Sequence, residues 1–385
     1  MGQRKIEGPP GRGNIVLSAG FLYSALYFVI ALGILVFFHE LGHFLLAKKM
    51  GVGVLTFSLG FGPKLIGWKR GETQYQIAMV PLGGFVKLIG ENLHEEVKAE
   101  DRARSFWTQP VWKRALIIVA GPFFNFFLAI AIFCLINLVV GVAPTPPLPL
   151  PSKVGGVTPG SPAEKAGFQA GDRILSIDGE PVSKWDDLAL RIRNSQGKEL
   201  TIKLERGGQS LDVKVTPQPL KEMTPSGEQS VFVIGIKAPL DDMKFERVGP
   251  VVALGKAFVQ TGELSKLTVV VIVKLIKGEI SAKTIGGPIL MAQMAGEQGK
   301  KGVLDFFLLI ALLSINLGVI NLFPIPILDG GHLLFLALEA LLRKPISIRK
   351  MEIAQQVGLI LIILLMLFAF YNDLLRIFTP GGMKF

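Results

Sequence analysis

The stretch FLYSALYFVIALGILVFFHELGHFLLA, residues 21–47, decides the fold of this chain. It exceeds the about 20 apolar residues that cover a bilayer's hydrocarbon core, so it predicts a transmembrane helix. It contains no Lys, Arg or Asp, yet it holds His39, Glu40 and His43. Ionisable side chains inside a membrane are costly and mark functional sites by default. The stretch therefore predicts both a span and a site within it.

The composition supports a membrane protein over its whole length. Of the 385 residues, 50% are hydrophobic and 18% are charged, whereas an ordinary soluble domain has about 25% charged residues. The mean hydropathy is +0.48. Disordered, fibrous and disulfide-scaffold classes are excluded, and the single cysteine, Cys134, cannot form an intrachain disulfide. The chain is predicted to be a polytopic α-helical membrane protein.

Three further stretches are long enough to span a membrane, which makes four transmembrane helices. They are Ala115–Val142, Phe306–Leu342 and Ile353–Phe378. The second of these is interrupted by prolines and glycines, so we expect a broken span whose freed backbone is buried in protein or lines a cavity. A fifth stretch, Leu264–Ile276, has an uninterrupted apolar core, Leu267–Val273, that is too short to span and is bracketed by Lys266, Lys274 and Lys277. We expect it to be an amphipathic helix on the membrane surface.

The net charge of +11 is explained by basic loops, without a nucleic-acid partner. Eleven Lys and Arg residues lie between positions 48 and 114, and four more lie between 343 and 350. Short basic loops stay in the cytoplasm. The N-terminus and the long segment between spans two and three are then predicted to be extracytoplasmic, and the active site faces the cytoplasmic side.

His39, Glu40 and His43 form an HExxH motif. On a helix, two histidines four residues apart can reach one cation, and the intervening glutamate can hold a water molecule. Zn²⁺ is the metal expected for this motif, with a third protein ligand still required. The alternative without a metal is that two histidines and a carboxylate pack in the core of the helix bundle. Burying these groups in lipid is costly, so this alternative also requires partners for them.

The third ligand has several candidates among the acids of the spans: Asp305, Asp329, Glu339 and Asp373. Asp329 stands out because it follows NLFPIPIL, residues 321–328, and precedes two glycines, a pattern that breaks a helix and aims a side chain. Alternatively, Asp329 could serve as the N-cap of the following helix. His332 is a rival ligand, although a supporting role is commoner for such a residue.

These motifs together resemble those of the site-2 intramembrane metalloproteases (M50-type). HExxH lies in the first span, GPFFN at residues 121–125 lies in the second, and the NxxPxPxLDGG stretch follows in the third. The resemblance covers nearly the whole chain from residue 17 and points to the bacterial branch with a single PDZ-like module. It implies zinc ligands His39, His43 and Asp329, a catalytic acid/base at Glu40, and substrate binding by Asn321.

The loop after the first span is predicted to contain a β-hairpin that turns at residues 69–72. In the family this hairpin is membrane-reentrant, and a substrate could add to its edge as another strand. We expect that edge at Gln76, where a proline should abolish cleavage while zinc stays bound. The alternative is a cytoplasmic hairpin that merely closes the helix bundle.

A soluble module is predicted between spans two and three. Ser161 begins a short helix that ends at Gly167, Arg173–Asp178 forms a strand, Ser183 caps a second helix, and Leu200–Leu204 pairs with Leu211–Val215. This order resembles a circularly permuted PDZ domain, an inserted α+β fold. It could filter substrates by size or capture their tails.

The complete prediction divides the chain into six segments. They are a disordered tail (1–16), the first two spans with the hairpin (17–142), a Pro-rich linker (143–152), the PDZ-like domain (153–220), an extracytoplasmic strand and amphipathic-helix region (221–302), and the last two spans (303–385).

The predicted function is that of an intramembrane zinc metalloprotease in the bacterial inner membrane. The resemblance implies that it hydrolyses single-span membrane proteins within the lipid bilayer after a first protease has trimmed them. Typical substrates are an anti-sigma factor or a remnant signal peptide. The alternatives are a non-catalytic PDZ-bearing scaffold and a transporter that uses the broken span as an ion site.

Overall fold

The computed structural model describes residues 19–92, 96–142, 150–224, 227–239 and 245–378. The predicted tail at 1–16 and most of the Pro-rich linker lie outside these residues. The helices within the described ranges are α1 (Ala19–Lys49), α2 (Val111–Val139), α3 (Pro162–Lys165), α4 (Trp185–Arg193), α5 (Pro250–Ile276), α6 (Pro288–Lys301), α7 (Val303–Asn321), α8 (Asp329–Leu342) and α9 (Ile348–Phe378). The strands are β1 (Val54–Arg70), β2 (Thr73–Leu88), β3 (Gly156–Val157), β4 (Arg173–Ile177), β5 (Glu180–Pro181), β6 (Leu200–Arg206), β7 (Gln209–Val215), β8 (Gln218–Thr224), β9 (Gly227–Val233) and β10 (Ile236–Lys237).

Four helices of the described chain are long and apolar enough to cross a membrane, as predicted: α1, α2, α7 and α9. The end of α1 shows why the first span stops where it does. Lys48 and Lys49 occupy its last turn, where positive charge is favourable next to the helix C-terminus. Gly51 then adopts a φ of +81°, a left-handed conformation that commonly ends helices.

The predicted break in the third span is present. The membrane-crossing helix α7 ends at Asn321, residues 322–328 form a non-helical connection, and α8 begins at Asp329. Gly330 and Gly331 let this connection fold tightly, because a Cβ at either position would overlap the carbonyl oxygen of Phe323 or Ile325. Leu328, not Asp329, is the N-cap residue. The alternative interpretation of Asp329 as an N-cap is therefore wrong, and its carboxylate is available for another role.

Strands β1 and β2 form the predicted hairpin, with its turn at residues 71–72. Both strands bend, so the first half of β1 lies between the two halves of β2 and pairs with both. Phe57, for example, lies opposite both Val86 and Tyr75. Gln76 lies opposite both Ser58 and Gly67. The prediction that Gln76 lies on an open edge is wrong, because the bend places its strand in the interior of the sheet.

The chain divides into two compact units. One contains the described residues of Met1–Leu135, Leu254–Val269 and Lys283–Phe385, and the other contains those of Ile136–Ala253 and Val270–Ala282. In the second unit, β4, β5, β6 and β7 form a sheet in the order β5-β4-β6-β7. Leu200 pairs with Val215 and Leu204 with Leu211, as predicted. Ser161 caps α3, whereas the N-cap of α4 is Lys184 and not Ser183.

The core of this second unit uses residues beyond position 220, where the sequence places the end of the module. Ile234 is buried with Ile174, Leu188 and Ile202, and β10 pairs with β3. Strand β10 pairs with β3, the first strand of the module, although the two are far apart in sequence. Local turn patterns do not reveal such a remote pairing, so the predicted module ends too early.

Helix α5 is longer than the amphipathic helix predicted at Leu264–Ile276, since it begins at Pro250. It is not among the four helices apolar enough to span. The hydroxyl of Thr268 donates a hydrogen bond of 2.8 Å to the side-chain oxygen of Asn316 on α7. Helix α5 therefore contacts the membrane-spanning helix α7, and its position on the membrane surface stays a prediction.

Candidate metal centre

The HExxH motif lies on α1, as its spacing predicts. His39 and His43 are one turn apart, and their imidazole centroids are separated by 4.9 Å. The two Nε2 atoms lie 3.3 Å from each other. Two imidazole nitrogens at this distance need a proton or a cation between them, because facing lone pairs repel. The motif thus presents two nitrogen donors to one point.

Asp329 completes the group from the first turn of α8. One carboxylate oxygen lies 3.3 Å from His39 Nε2, and the other lies 3.6 Å from His43 Nε2. Among the described residues, these three side chains form a group that could hold a metal ion. Tetrahedral ligands about 2.0–2.1 Å from Zn²⁺ are separated by about 3.3 Å. The three spacings therefore fit a zinc ion.

The orientation of His43 is set by the main chain of α2. Its Nδ1 lies 2.9 Å from the carbonyl oxygen of Ile117. A carbonyl can only accept, so Nδ1 carries the proton and Nε2 keeps its lone pair for the metal. His39 has a different neighbour, since its Nδ1 lies 3.0 Å from the side-chain amide of Asn125.

The GPFFN stretch of α2 allows this close packing. A Cβ at Gly121 would overlap the imidazole of His43 and lie 2.8 Å from Cε1 of His39. On the other side, a Cβ at Gly42 would overlap the carbonyl of Ala120. Two glycines therefore let α1 and α2 approach until the imidazoles lie against the α2 backbone. This packing role of the GPFFN stretch depends on contacts with α1 that the sequence alone does not show.

Glu40 lines a cavity of about 420 Å³ together with His39, His43 and Asp329. Its carboxylate accepts a hydrogen bond from the backbone N–H of Val86 on β2. Gly84 permits this approach, because a Cβ there would lie 2.7 Å from Val36 and 3.2 Å from the Glu40 side chain. The segment Gly84–Leu88 thus lies along the cavity and pairs with Val54–Leu59 of β1 on its other side.

The remaining predicted residues lie at different distances from the centre. The side-chain amide of Asn321 lies 3.5 Å from Nε2 of His39, so it faces the metal position. His332 lines the cavity, but its Nδ1 lies 3.1 Å from the carbonyl of Leu328 and its Nε2 lies 3.2 Å from Gln355. It is not part of the metal group.

Two of the other candidate acids have structural partners. Glu339 forms a bidentate ion pair with Arg114. Asp373 accepts hydrogen bonds from the backbone N–H groups of Gly287, Ile289 and Leu290 at the start of α6. The sequence does not show these partners, because they are remote along the chain from Glu339 and Asp373.

Comparisons with known proteins agree with this geometry. The model of peptidase family M50 matches residues 27–365. A protein of Rhizobium meliloti (strain 1021), assigned as a zinc metalloprotease, is 37% identical over 365 residues, covering 91% of this chain and 96% of the relative. The regulator of sigma-E protease RseP of Escherichia coli (strain K12) is 34% identical over 454 residues, covering 93% of this chain and 99% of the relative. That alignment is longer than the present chain, so the relative contains additional segments.

Proposed function

We propose roles for the individual residues from the premise that this chain belongs to peptidase family M50. It is an intramembrane zinc metalloprotease. His39, His43 and Asp329 are the zinc ligands in this proposal. The observation that carries it is the spacing of their donor atoms, 3.3, 3.3 and 3.6 Å, at the meeting point of α1 and α8.

Glu40 is the catalytic acid/base. When bound, zinc supplies Lewis acidity towards water and towards the carbonyl oxygen of a peptide bond. Glu40 takes the proton from the attacking water and delivers it to the leaving amide nitrogen. Its position in the same cavity as the ligands, with one hydrogen bond from Val86 to fix its side chain, supports this role.

Asn321 helps to hold the substrate next to the metal. Its amide can donate to a carbonyl oxygen, and it lies at the end of α7 where the helix opens. A peptide bond in a transmembrane helix is shielded by its own hydrogen bonds, so the substrate must unwind before attack. Residues of low helix propensity near the cut make this unwinding less costly.

The hairpin of β1 and β2 enters the membrane and offers the unwound substrate a strand edge at Gly84–Leu88. Large apolar side chains of the hairpin are exposed, among them Phe61, Leu65 and Ile66, which suits contact with lipid. The backbone at Gly84 packs against Val36 within the first span. Strand addition supplies main-chain hydrogen bonds without demanding a particular sequence.

The substrates are single-span membrane proteins, either anti-sigma-factor-like proteins trimmed on their outer side or remnant signal peptides. The name of the Escherichia coli relative, regulator of sigma-E protease, supports this class. The enzyme lies in the bacterial inner membrane and acts in regulated intramembrane proteolysis. Its N-terminus and PDZ-like module are outside, because the basic loops favour the cytoplasmic side.

The module between α2 and α5 acts on substrate selection, by size or by tail capture. Excising residues 152–237 distinguishes the two, since this range includes β10. Under the size-filter mechanism, untrimmed substrates become cleavable. Under capture, they stay intact and trimmed substrates are also cleaved more slowly.

The decisive experiment uses a single-span reporter already shortened on its outer side. We expect wild-type protein to cleave it in purified membranes, and we expect Glu40→Gln to bind zinc without cleaving. A chelator should abolish wild-type cleavage, and added zinc should restore it. Equal product from wild type and Glu40→Gln would contradict the acid/base role. A scaffold or a transporter would give no product under any of these conditions.

A further inference from the structure

The side chain of Asn125 on α2 contacts the imidazole of the ligand His39. Asn125 is fully buried, with 0% exposure. Its Nδ2 lies 3.0 Å from His39 Nδ1. Its Oδ1 has no hydrogen-bond partner among the described residues. Rotation of the amide by about 180° would place Nδ2 at this position, so the missing partner does not itself distinguish the two orientations, and the surroundings of His39 must do so.

The two orientations of this amide have opposite consequences for zinc. If Nδ2 donates to His39 Nδ1, the proton of the neutral ring is forced onto Nε2, the atom that faces His43 and Asp329. If the amide is rotated, Oδ1 accepts a proton from Nδ1, and Nε2 keeps its lone pair. Amide oxygen and nitrogen are nearly equal in size, so both orientations fit the same space.

The surroundings of His39 favour the rotated amide. His43, the companion ligand, already has an oxygen acceptor at Nδ1 in the carbonyl of Ile117. On the other side of His39, the Asn321 amide lies 3.5 Å from Nε2, which suits a nitrogen that accepts. Metal-binding histidines usually donate their second N–H to an oxygen of the protein.

We propose that Asn125 is a positioning residue whose side-chain oxygen accepts the Nδ1 proton of His39 and so holds this ligand in its metal-binding tautomer. The proposal rests on the assignment of His39 as a zinc ligand. Asn125 touches neither substrate nor the reacting atoms. It acts through His39 from α2, a helix that supplies none of the three proposed metal ligands.

The test compares Asn125→Asp with Asn125→Leu by their zinc dissociation constants, measured in competition with a chromophoric chelator. An aspartate keeps the oxygen and loses the N–H, so we expect zinc affinity within about threefold of wild type. Leucine removes both, and loss of such a partner weakens metal binding by about 10- to 100-fold. If Asn125 were a donor instead, it would hold the proton on Nε2 and oppose metal binding, so the leucine variant would keep or gain zinc affinity, and that result would overturn the proposal.

Two controls separate this result from misfolding and from failure of the ligand assignment. Ser314→Ala removes a 2.8 Å hydrogen bond to the main-chain oxygen of Asn125 and leaves its amide in place, so zinc affinity should stay at the wild-type value. His39→Ala must lose zinc binding, and retained binding would overturn the ligand assignment and not merely the role of Asn125.

Nitrogen NMR of the wild-type protein gives a second test that needs no variant. In zinc-loaded protein labelled with ¹⁵N-histidine, we expect a protonated Nδ1 on His39 that is protected from solvent exchange. A resonance showing Nδ1 without a proton would overturn the proposal.

Discussion

Gly121 lies so close to His43 that a Cβ carbon at position 121 would overlap the Nε2 atom of that imidazole. The main chain of α2 is thus the wall against which both histidine rings of α1 are held. The atoms that this Cβ would meet belong to the imidazole rings of His43 and His39, so a methyl group could be admitted only by displacing the two rings or by separating α1 from α2.

We therefore expect Gly121→Ala to reduce zinc content and cleavage to background while the four spans still insert. Gly33→Ala is the matched control, because a Cβ there, on the same helix as the histidines, meets nothing within 4 Å. Zinc bound per protein, measured by elemental analysis of detergent-purified samples, distinguishes them. Full zinc occupancy in Gly121→Ala would contradict the proposed tightness of the site.

The ion pair of Arg114 and Glu339 joins α2 to α8, the helix that begins with Asp329. The side chains are 5% and 17% exposed, with N–O distances of 3.1 and 2.6 Å. Removing one partner leaves a buried charge, so Arg114→Met should lower the free energy of unfolding by roughly 3–5 kcal/mol. Arg114→Met combined with Glu339→Leu should lose much less, which a double-mutant cycle in detergent can measure.

The exposed pair of Lys98 and Glu100 provides the control for that cycle, since both side chains are more than three-quarters exposed. Lys98→Met should change the unfolding free energy by less than about 1 kcal/mol. If Lys98→Met lowered the unfolding free energy as much as Arg114→Met does, the effect of Arg114→Met would not be a consequence of burial.

The sequence predicts the spans and the metal motif because both depend on local patterns. An apolar run of fixed length and two histidines four residues apart are visible without knowing any contact. The sequence singles out Asp329 through the prolines and glycines around it, whereas the partners of Glu339 and Asp373 needed the fold, because they lie on remote backbone or on a remote arginine. The open edge of the hairpin was misplaced at Gln76 because the bend in both strands leaves no local signal.

Glu72 at the hairpin turn makes the stability of this region depend on pH. Hydrogen bonds from Arg104, and then from Lys48 at 2.9 Å, hold the pKa of the Glu72 carboxyl below its ordinary value. A carboxyl with a lowered pKa in the folded state stabilises it above the unfolded-state pKa, and this contribution is lost as the pH falls through the folded-state value.

We therefore expect wild-type protein to be more stable than Glu72→Gln near pH 7, with the difference shrinking below the ordinary carboxyl pKa of 4.5. Thermal unfolding in detergent from pH 7 to pH 3 measures it. If the stability difference between the two proteins stayed the same from pH 7 to pH 3, the ion pairs of Glu72 with Arg104 and Lys48 would be screened by solvent and would not stabilise the fold.

The edge of Gly84–Leu88 offers a last and more specific prediction about substrate binding. The N–H groups of Val86 and Leu88 point away from β1, towards the carboxylates of Glu40 and Glu91. They are therefore the donors that an added substrate strand would use. Val86→Pro removes a donor that also fixes Glu40, so kcat/KM should fall by at least about tenfold, the value of one lost hydrogen bond of roughly 1.4 kcal/mol.

Val86→Thr keeps the N–H and the branched shape of the side chain, so it should cleave the reporter at nearly the wild-type rate. Zinc content should be unchanged in both variants, because neither position holds the metal. Cleavage by Val86→Pro at the wild-type rate would mean that the substrate does not add to this edge. A loss of zinc together with cleavage would instead show that β2 positions α1, since Glu40 and both histidines share the helix against which Gly84 packs.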